Sequence, residues 1–386
     1  MEQLIYRDRR GSNSNKWDYI ADRFSRGDLL PLWVADMDFA TAQCVRNALR
    51  EKVEFGIFGY ETPSAAYYDA FIQWEKKYHG YGVQRDWLRF SPGVVSAFNW
   101  FISVLAKPGE AVMIQPPVYY PFAEAVKTQQ CRLVENVLVN NNGVYTIDFA
   151  DFERKLVEEN VRVFLMSSPH NPVGRIWTRE ELRRMLQLCK DHGVYVIADE
   201  IHHDFEMDGH RHLPAATVGD FDDILVTLTA PSKTFNLAGL QNSILIIPDE
   251  KLRSSYDHFL NTLRIKRGNC MGYTAAQAAY EGGREWLEQV LKTVWENYTL
   301  LRDELAKRLP KAILSPLEGT YLAWVDLGAY CSAEEMVDLI ENRCRLAVDY
   351  GAWFGGNAPC HIRLNLATCR ENVQKAIDAL ADNLSE

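Results

Sequence analysis

Five short apolar runs in this chain each stop at a polar or turn-rich segment, and that recurrence narrows the possible folds more than any other feature. Phe90 runs into SPGVVSAF, Ile114 into QPPVYYPF, Met166 into SSPHNPVG, Ala198 into DEIHHD and Leu228 into TAPSKTFNLAGL. The runs Ala111 to Ile114, Val161 to Met166, Val194 to Ala198 and Ile224 to Leu228 are rich in β-branched residues. They read as strands buried on both faces of a mostly parallel sheet. Between two of them, Thr178-Arg179-Glu180-Glu181 leads into LRRMLQLCKDHG. Thr178 and Glu181 have the spacing of a capping box and Gly193 is a C-terminal stop, so a helix is predicted there. Strand, helix and strand in that order require a right-handed crossover, hence an α/β sheet flanked by helices. Ligands of such sheets bind beyond the carboxyl ends of the strands. Five polar segments on one edge therefore predict one composite site.

With 386 residues, 47% of them hydrophobic, the chain exceeds the usual single domain, and two units are expected. Its last hundred residues change character. Helical patterns at Trp286 to Leu309 and Ala333 to Arg343 flank strand-like Thr320 to Val325 and Ile362 to Leu366, as in a smaller α+β domain. The predicted division is an N-terminal arm (1–43) joined to the small domain, a large domain (44–283) and the C-terminal small domain (284–386). A net charge of −10 without a Lys/Arg block disfavours nucleic acid or an anionic membrane as the main partner. The start, MEQLIYRDRRGSNSNKWD, lacks the apolar core of a signal peptide, and no run is long enough to span a bilayer. The eight cysteines are scattered with no CxxC pair. A soluble, cytoplasmic, disulfide-free protein is expected.

Within the polar segments, Lys233 sits in a turn just after an apolar strand, where desolvation can turn an ammonium into a nucleophilic amine; taken alone, a snorkelling surface lysine is the commoner reading. Asp199 begins at the buried end of VYVIA, and a buried acid needs a cationic partner such as a protonated pyridine nitrogen, or else caps a helix. Asn171 lies in a turn and can bond a cofactor hydroxyl or serve the turn alone. Val94 and Val95 open a helical stretch behind Pro92-Gly93, where free amides form a phosphate seat. Tyr119 and Tyr120 follow a Pro-Pro turn and can stack on a flat ring or simply pack. Arg363, in the apolar HIRLNLA, needs an anion: a substrate carboxylate or a structural ion pair.

SSPHNPVGR, ADEIHHD and APSKTFNLAGL, in this order and spacing, resemble the fold-type I pyridoxal-phosphate enzymes of the class I/II aminotransferase superfamily. Within it, PLWVADMDF, FGYETP, PPVYYPF and EGTYLAW are similar to the MalY/PatB group of cystathionine β-lyases, cysteine-S-conjugate β-lyases and cystalysins. The likeness runs over essentially the whole chain. It implies a large domain with a mostly parallel sheet, a smaller α+β domain, and pyridoxal 5'-phosphate bound as a Schiff base on Lys233. It further implies Asp199 at the ring nitrogen, Asn171 and His202 at the ring hydroxyl, and Tyr119 stacked on the ring. Val94, Val95 and Ser232 would hold the phosphate, with Tyr60 reaching it across a homodimer interface. Arg363 would take the substrate carboxylate, assisted by the backbone near Val34 and Ala35. Tyr120 would line the substrate side and could protonate the leaving thiolate. The implied reaction is α,β-elimination from a cysteine thioether to a thiol, pyruvate and ammonia. Two positions depart from the wider superfamily: Ala230 and Gln241 stand where a serine and an arginine commonly bind phosphate.

An aminotransferase needs the same lysine, aspartate and arginine, and only the MalY/PatB-like motifs favour the lyase. A metal hydrolase is the rival from another class, because DEIHHDFEMDGHRH gathers Asp199, His202, His203, Asp204, His210 and His212. That reading leaves Lys233 and the SPHNPVG turn without a task, so no metal is expected. A cofactor-binding regulatory protein without turnover is a third possibility, against which the intact set of catalytic residue types argues.

Overall fold

A computed structural model describes residues 2–265 and 267–384. Its centre is a seven-stranded sheet: β1 (Leu88–Ser91), β2 (Ala111–Ile114), β3 (Arg132–Glu135), β4 (Val161–Ser167), β5 (Tyr195–Asp199), β6 (Leu225–Thr229) and β7 (Ser243–Ile246). The strands lie in the order β1-β7-β6-β5-β4-β2-β3, all parallel except β7, which runs against both its neighbours. The four sequence-predicted strands appear within a residue of their expected bounds.

Apolar continuity along these strands has a direct cause. Val112, Ile114, Val163, Leu165, Ile197 and Val226 pack on one face with helices Val94–Leu105, Pro121–Thr128 and Glu250–Leu263. Met113, Phe164, Met166, Val196 and Ala198 pack on the other with helices Phe149–Glu158 and Arg179–Asp191. A sheet covered on both sides needs apolar residues at every position. The helix Arg179–Asp191 starts with the reciprocal Thr178–Glu181 capping box and ends at His192, followed by Gly193 at φ +67°.

A second, antiparallel sheet orders β8 (Ile313–Leu314), β9 (Leu322–Asp326), β11 (His361–Asn365) and β10 (Asp349–Tyr350) as β8-β9-β11-β10. The long helix begins at Arg284 and closes at Arg308. The helix expected over Ala333 to Arg343 is shorter: residues 333–335 form a turn, and Asp338–Arg343 is a widened π-type coil. The bond from Cys344 N–H to Leu339 O spans five residues, the signature of that extra-wide turn. Glu341 in this turn is buried, accepting from Ser25 N–H at 2.7 Å and Tyr350 O–H at 2.9 Å.

The N-terminal arm runs between this second sheet and the Lys233 turn. Leu30 and Pro31 pair in parallel with Leu346 and Ala347, and Asn236 bonds the Met37 amide and the Met37 and Phe39 carbonyls. A buried clasp holds the arm. Lys16 Nζ lies 2.9 Å from Asp38 Oδ2, both side chains being fully shielded, while Trp17 Nε1 donates to Asp38 Oδ1 at 2.8 Å. Arg9 forks onto both oxygens of Asp36 at 2.7 and 2.8 Å. Removing one partner of a buried pair strands the other charge, which costs about 3–5 kcal/mol. Lys16→Met should therefore lose about 3 kcal/mol in urea unfolding, since Arg9 remains 3.6 Å from Asp38; a loss under about 1 kcal/mol would show that the clasp does not hold the arm.

Candidate active site

A cavity of about 320 Å³ opens at the carboxyl edge of the large sheet. That is the lower end of the range for small-molecule sites, roughly 300–1,000 Å³. All five polar segments reach it: Val94 and Val95 after β1, Tyr119 after β2, Asn171 after β4, Asp199 and His202 at the end of β5, and Ser232 and Lys233 after β6. Antiparallel β7 starts at the same edge and adds Ser243, with Gln241 and Asn242 before it; the arm adds Ala35. Ser167, Asn242 and Ser243 were not singled out from the sequence. Ser167 stands in the SSPHNPVG segment, whereas nothing local marks the last two, because only the reversed direction of β7 brings them here.

Electrostatically, the cavity discourages charge. Lys233, in the short helix Pro231–Thr234, donates from Nζ to the Ala35 carbonyl at 2.6 Å. Desolvation pulls its pKa down to about 8, against the opposing pull of Asp36. Asp199 is buried, its Oδ1 accepting from the Ile201 amide at 3.1 Å, and desolvation raises its pKa to about 7. Burial, followed by the charge of Lys233, holds His202 well below its ordinary range, and its Nδ1 is shielded without a partner. On the opposite wall, the helix Val94–Leu105 begins after Gly93 with no side chain capping its first amides. Free amides at a helix start favour an anion. Ala230 is fully buried, and Gln241 lines the wall with φ +50°.

These features match pyridoxal phosphate group by group. A neutral-leaning amine would suit an aldehyde, a buried carboxylate a pyridinium, an unpartnered imidazole a ring hydroxyl, and an uncapped helix start with Ser232 a phosphate.

Arg363 lies behind Asn171 and does not line the cavity. Its Nη1 donates to Asn171 Oδ1 at 2.9 Å, and its Nη2 pairs with Asp349, both side chains being buried. Asp349 was not identified from the sequence; no motif marked it, although it stands in the aromatic AVDYGAWFGG loop. Burial raises its pKa, with Arg363 opposing. The Val34 carbonyl accepts from Asn365 Nδ2 at 2.7 Å, and Ala35 O also accepts from Tyr321 O–H at 2.8 Å. Tyr120 packs 5.6 Å from Tyr119, outside the cavity wall. Tyr60 is fully exposed and touches none of these groups within the single chain.

The His/Asp-rich segment does not converge. Asp199 and His202 face the cavity, His210 is exposed, and His212 Nε2 meets Glu200 Oε2 at 3.1 Å. His203 turns away, 3.3 Å from Glu75 and 3.4 Å from Asp204. Burial opposes its protonation, but the Asp204 and Glu75 carboxylates outweigh it and carry the pKa up to about 10. Asp204 also receives Trp74 Nε1, His79 and the Thr234 hydroxyl. That network braces the lysine-bearing turn from beneath.

Comparison with known proteins agrees with this geometry. The chain is 38% identical over 380 residues to cystathionine β-lyase PatB of Bacillus subtilis, covering 97% of this chain and 98% of the relative. It is 32% identical to protein MalY of Escherichia coli, covering 97% and 96%. Among solved structures, the PLP-bound C-S lyase of Staphylococcus hominis superposes with a TM-score of 0.94 at 34% identity, over 99% of this chain and 97% of that one. Cystalysin of Treponema denticola, which contains a pyridoxal 5'-phosphate cofactor, gives 0.95 at 30% identity over 99% and 98%. The aminotransferase class I and II profile matches residues 28–380, and the chain belongs to that family.

Proposed function

We propose that this protein is a pyridoxal-phosphate-dependent C–S β-lyase that cleaves L-cystathionine or a related cysteine S-conjugate to a thiol, pyruvate and ammonia. The observation that carries this reading is the joint presence of Lys233, poised near neutrality, and buried Asp199 on one cavity at the strand ends. Full-length likeness to PatB, MalY and solved C-S lyases supports the lyase over an aminotransferase. Against a metal hydrolase, the segment divides between two places, Asp199 and His202 lining the cavity and His203 lying with Glu75 and His79, and that reading leaves Lys233 without a task.

Bound pyridoxal phosphate supplies an electrophilic carbon and a conjugated ring that disperses the charge left when the substrate α-proton departs. Lys233 would carry the cofactor and, once its amine is freed by the incoming substrate, accept that proton at Nζ. A depressed pKa keeps the amine in its proton-accepting form near neutral pH. The Asp199 carboxylate would hold the proton on the ring nitrogen, and Asn171 and His202 would bond the ring hydroxyl. Val94, Val95 and Ser232 would seat the phosphate, with no help from Ala230. Tyr119 would stack on the ring. Arg363, assisted by the backbone near Val34 and Ala35, would orient the substrate carboxylate. The Tyr120 hydroxyl or protonated Lys233 would deliver a proton to the departing sulfur.

The same reading makes the enzyme a cytoplasmic homodimer built from an arm (1–43), a large domain (44–283) and a small domain (284–386). None of the described helices is long and apolar enough to cross a membrane, and all eight cysteines are free thiols. Support for the dimer comes from Phe55, Ile57, Phe58 and Tyr60, an exposed apolar run of the kind that marks an interface.

Three measurements test the proposal. A lyase should release pyruvate, ammonia and thiol from L-cystathionine over many turnovers with no keto acid present. A single burst that resumes only on adding a keto acid would replace the lyase with an aminotransferase. Because the neutral amine of Lys233 is its reactive form, covalent reconstitution of apoenzyme should quicken as pH rises and level off above about 8. A rate still climbing through the ordinary lysine range would contradict the desolvated lysine. Finally, Tyr60→Phe should weaken cofactor retention by about 1.5–3 kcal/mol, the worth of one hydrogen bond to a charged group. A stable, active monomer in sedimentation would remove Tyr60 from the site.

A further inference from the structure

The cofactor cavity leaves open where the rest of a thioether lies, and the aromatic packing beside it gives a direction. Tyr120 meets Phe354 edge-on at 5.6 Å and Trp353 edge-on at 6.0 Å. The guanidinium of Arg363 lies over the Phe354 ring at 4.9 Å. At the other end, the guanidinium of Arg23 lies over Trp353 at 4.1 Å and over Tyr120 at 5.7 Å. One aromatic wall thus carries a cation at each end.

The two cations differ in their partners. Arg363 is buried and matched by Asp349. Arg23 is exposed, and among the described residues its side chain makes the two ring contacts but no ion pair or hydrogen bond. It is nevertheless held in place. Its amide closes the turn Ile20–Asp22 on the Ile20 carbonyl, and the adjacent Phe24 is buried against Trp33 at 5.1 Å and Trp353 at 6.2 Å. A guanidinium stacked by its face keeps its N–H edge free, and that edge fits a carboxylate with two parallel hydrogen bonds. Arg23 acts electrostatically on both Tyr120 and Asp349, so its field reaches the substrate side of the wall.

We propose that Arg23 receives a second carboxylate, carried by the leaving-group half of the substrate, and so selects dicarboxylate thioethers such as L-cystathionine. The inference rests on the lyase reading, with the α-carboxylate on Arg363. From there, the leaving half would pass Tyr120 and Trp353, the partly exposed members of the wall, to reach Arg23. Asp349 already offsets the charge of Arg363, which leaves Arg23 as the surplus cation for the second carboxylate.

The test compares kcat/KM of the holoenzyme and its Arg23→Met and Arg23→Lys variants on three substrates. L-cystathionine and S-(2-carboxyethyl)-L-cysteine carry the second carboxylate; S-ethyl-L-cysteine does not. Arg23→Met should lower kcat/KM about tenfold for the two dicarboxylates, the lower end for a charge-assisted hydrogen bond. The loss should fall mainly on KM, as expected for binding that ground and transition states share. S-ethyl-L-cysteine should change by less than about twofold, and Arg23→Lys should recover part of the loss, because lysine keeps the charge without the fork. Equal losses on all three substrates would reduce Arg23 to a support for the wall, and no loss on any would remove it from recognition; either result overturns the subsite while leaving the lyase intact. Failure of wild type to cleave any thioether would instead overturn the lyase reading and this inference with it.

Discussion

Desolvation at the carboxyl edge of the large sheet is the constraint on which the site depends. Lys233 and Asp199 have opposite ordinary charges and face one cavity, yet among the described residues each is hydrogen-bonded to backbone rather than to the other. Lys233 Nζ donates a hydrogen bond to the Ala35 carbonyl, and Asp199 Oδ1 accepts one from the Ile201 amide. Burial then drives both toward neutrality, the lysine to about 8 and the aspartate to about 7. A direct pair would have stabilised both charges and hidden the nucleophile. Two separate backbone contacts keep each group available to a ligand that brings its own complementary atoms.

That separation needs the N-terminal arm. The Ala35 carbonyl receives both Lys233 and the Tyr321 hydroxyl, so its position sets the resting place of the amine. Nothing in residues 34–36 could fix that position alone. The shielded Lys16–Asp38 pair, the Arg9–Asp36 fork and the Asn236 side chain fix it from three directions. Beneath the lysine, Thr234 is tied to Asp204, itself enclosed by Trp74, His79 and His203. The Lys233 amine thus sits between two hydrogen-bonded supports, the arm at Ala35 and the Asp204 network beneath Thr234, the kind of packing that holds a side chain in one geometry.

Strand ends were legible in the sequence because each apolar run gives way to a polar or turn-rich segment within one residue of the strand's last position. The capping box at Thr178 was equally local, and both of its hydrogen bonds form. What escaped detection depends on long-range placement. Asp349 sits 14 residues before Arg363 on the neighbouring antiparallel strand, in direct register with it, and no spacing rule marks such a pair. Arg363 itself was read with two possible anions, and within the single chain the structural ion pair is present while its neighbour Asn171 lines the cavity. The helix expected from Ala333 failed at its start, where the Glu335 carboxylate instead caps the Ser332 amide and hydroxyl.

The Asp349–Arg363 pair gives the two readings of Arg363 a common physical basis. A substrate carboxylate approaching Arg363 would enter a site that already holds a buried carboxylate on the same guanidinium. Two ionised carboxylates and one arginine leave an uncompensated negative charge in a shielded place, which costs several kcal/mol. Asp349 is the group able to yield, since burial already raises its pKa and a second carboxylate would raise it further. Were a substrate carboxylate to bind Arg363, its binding would be linked to proton uptake at Asp349, or to release of Asp349 from Nη2. Asn171 keeps its hold on Nη1 in either case and joins the guanidinium to the cavity wall. On that reading, charge matching at the carboxylate end and orientation at the ring end would both run through Arg363 and Asn171, which are joined directly through Nη1.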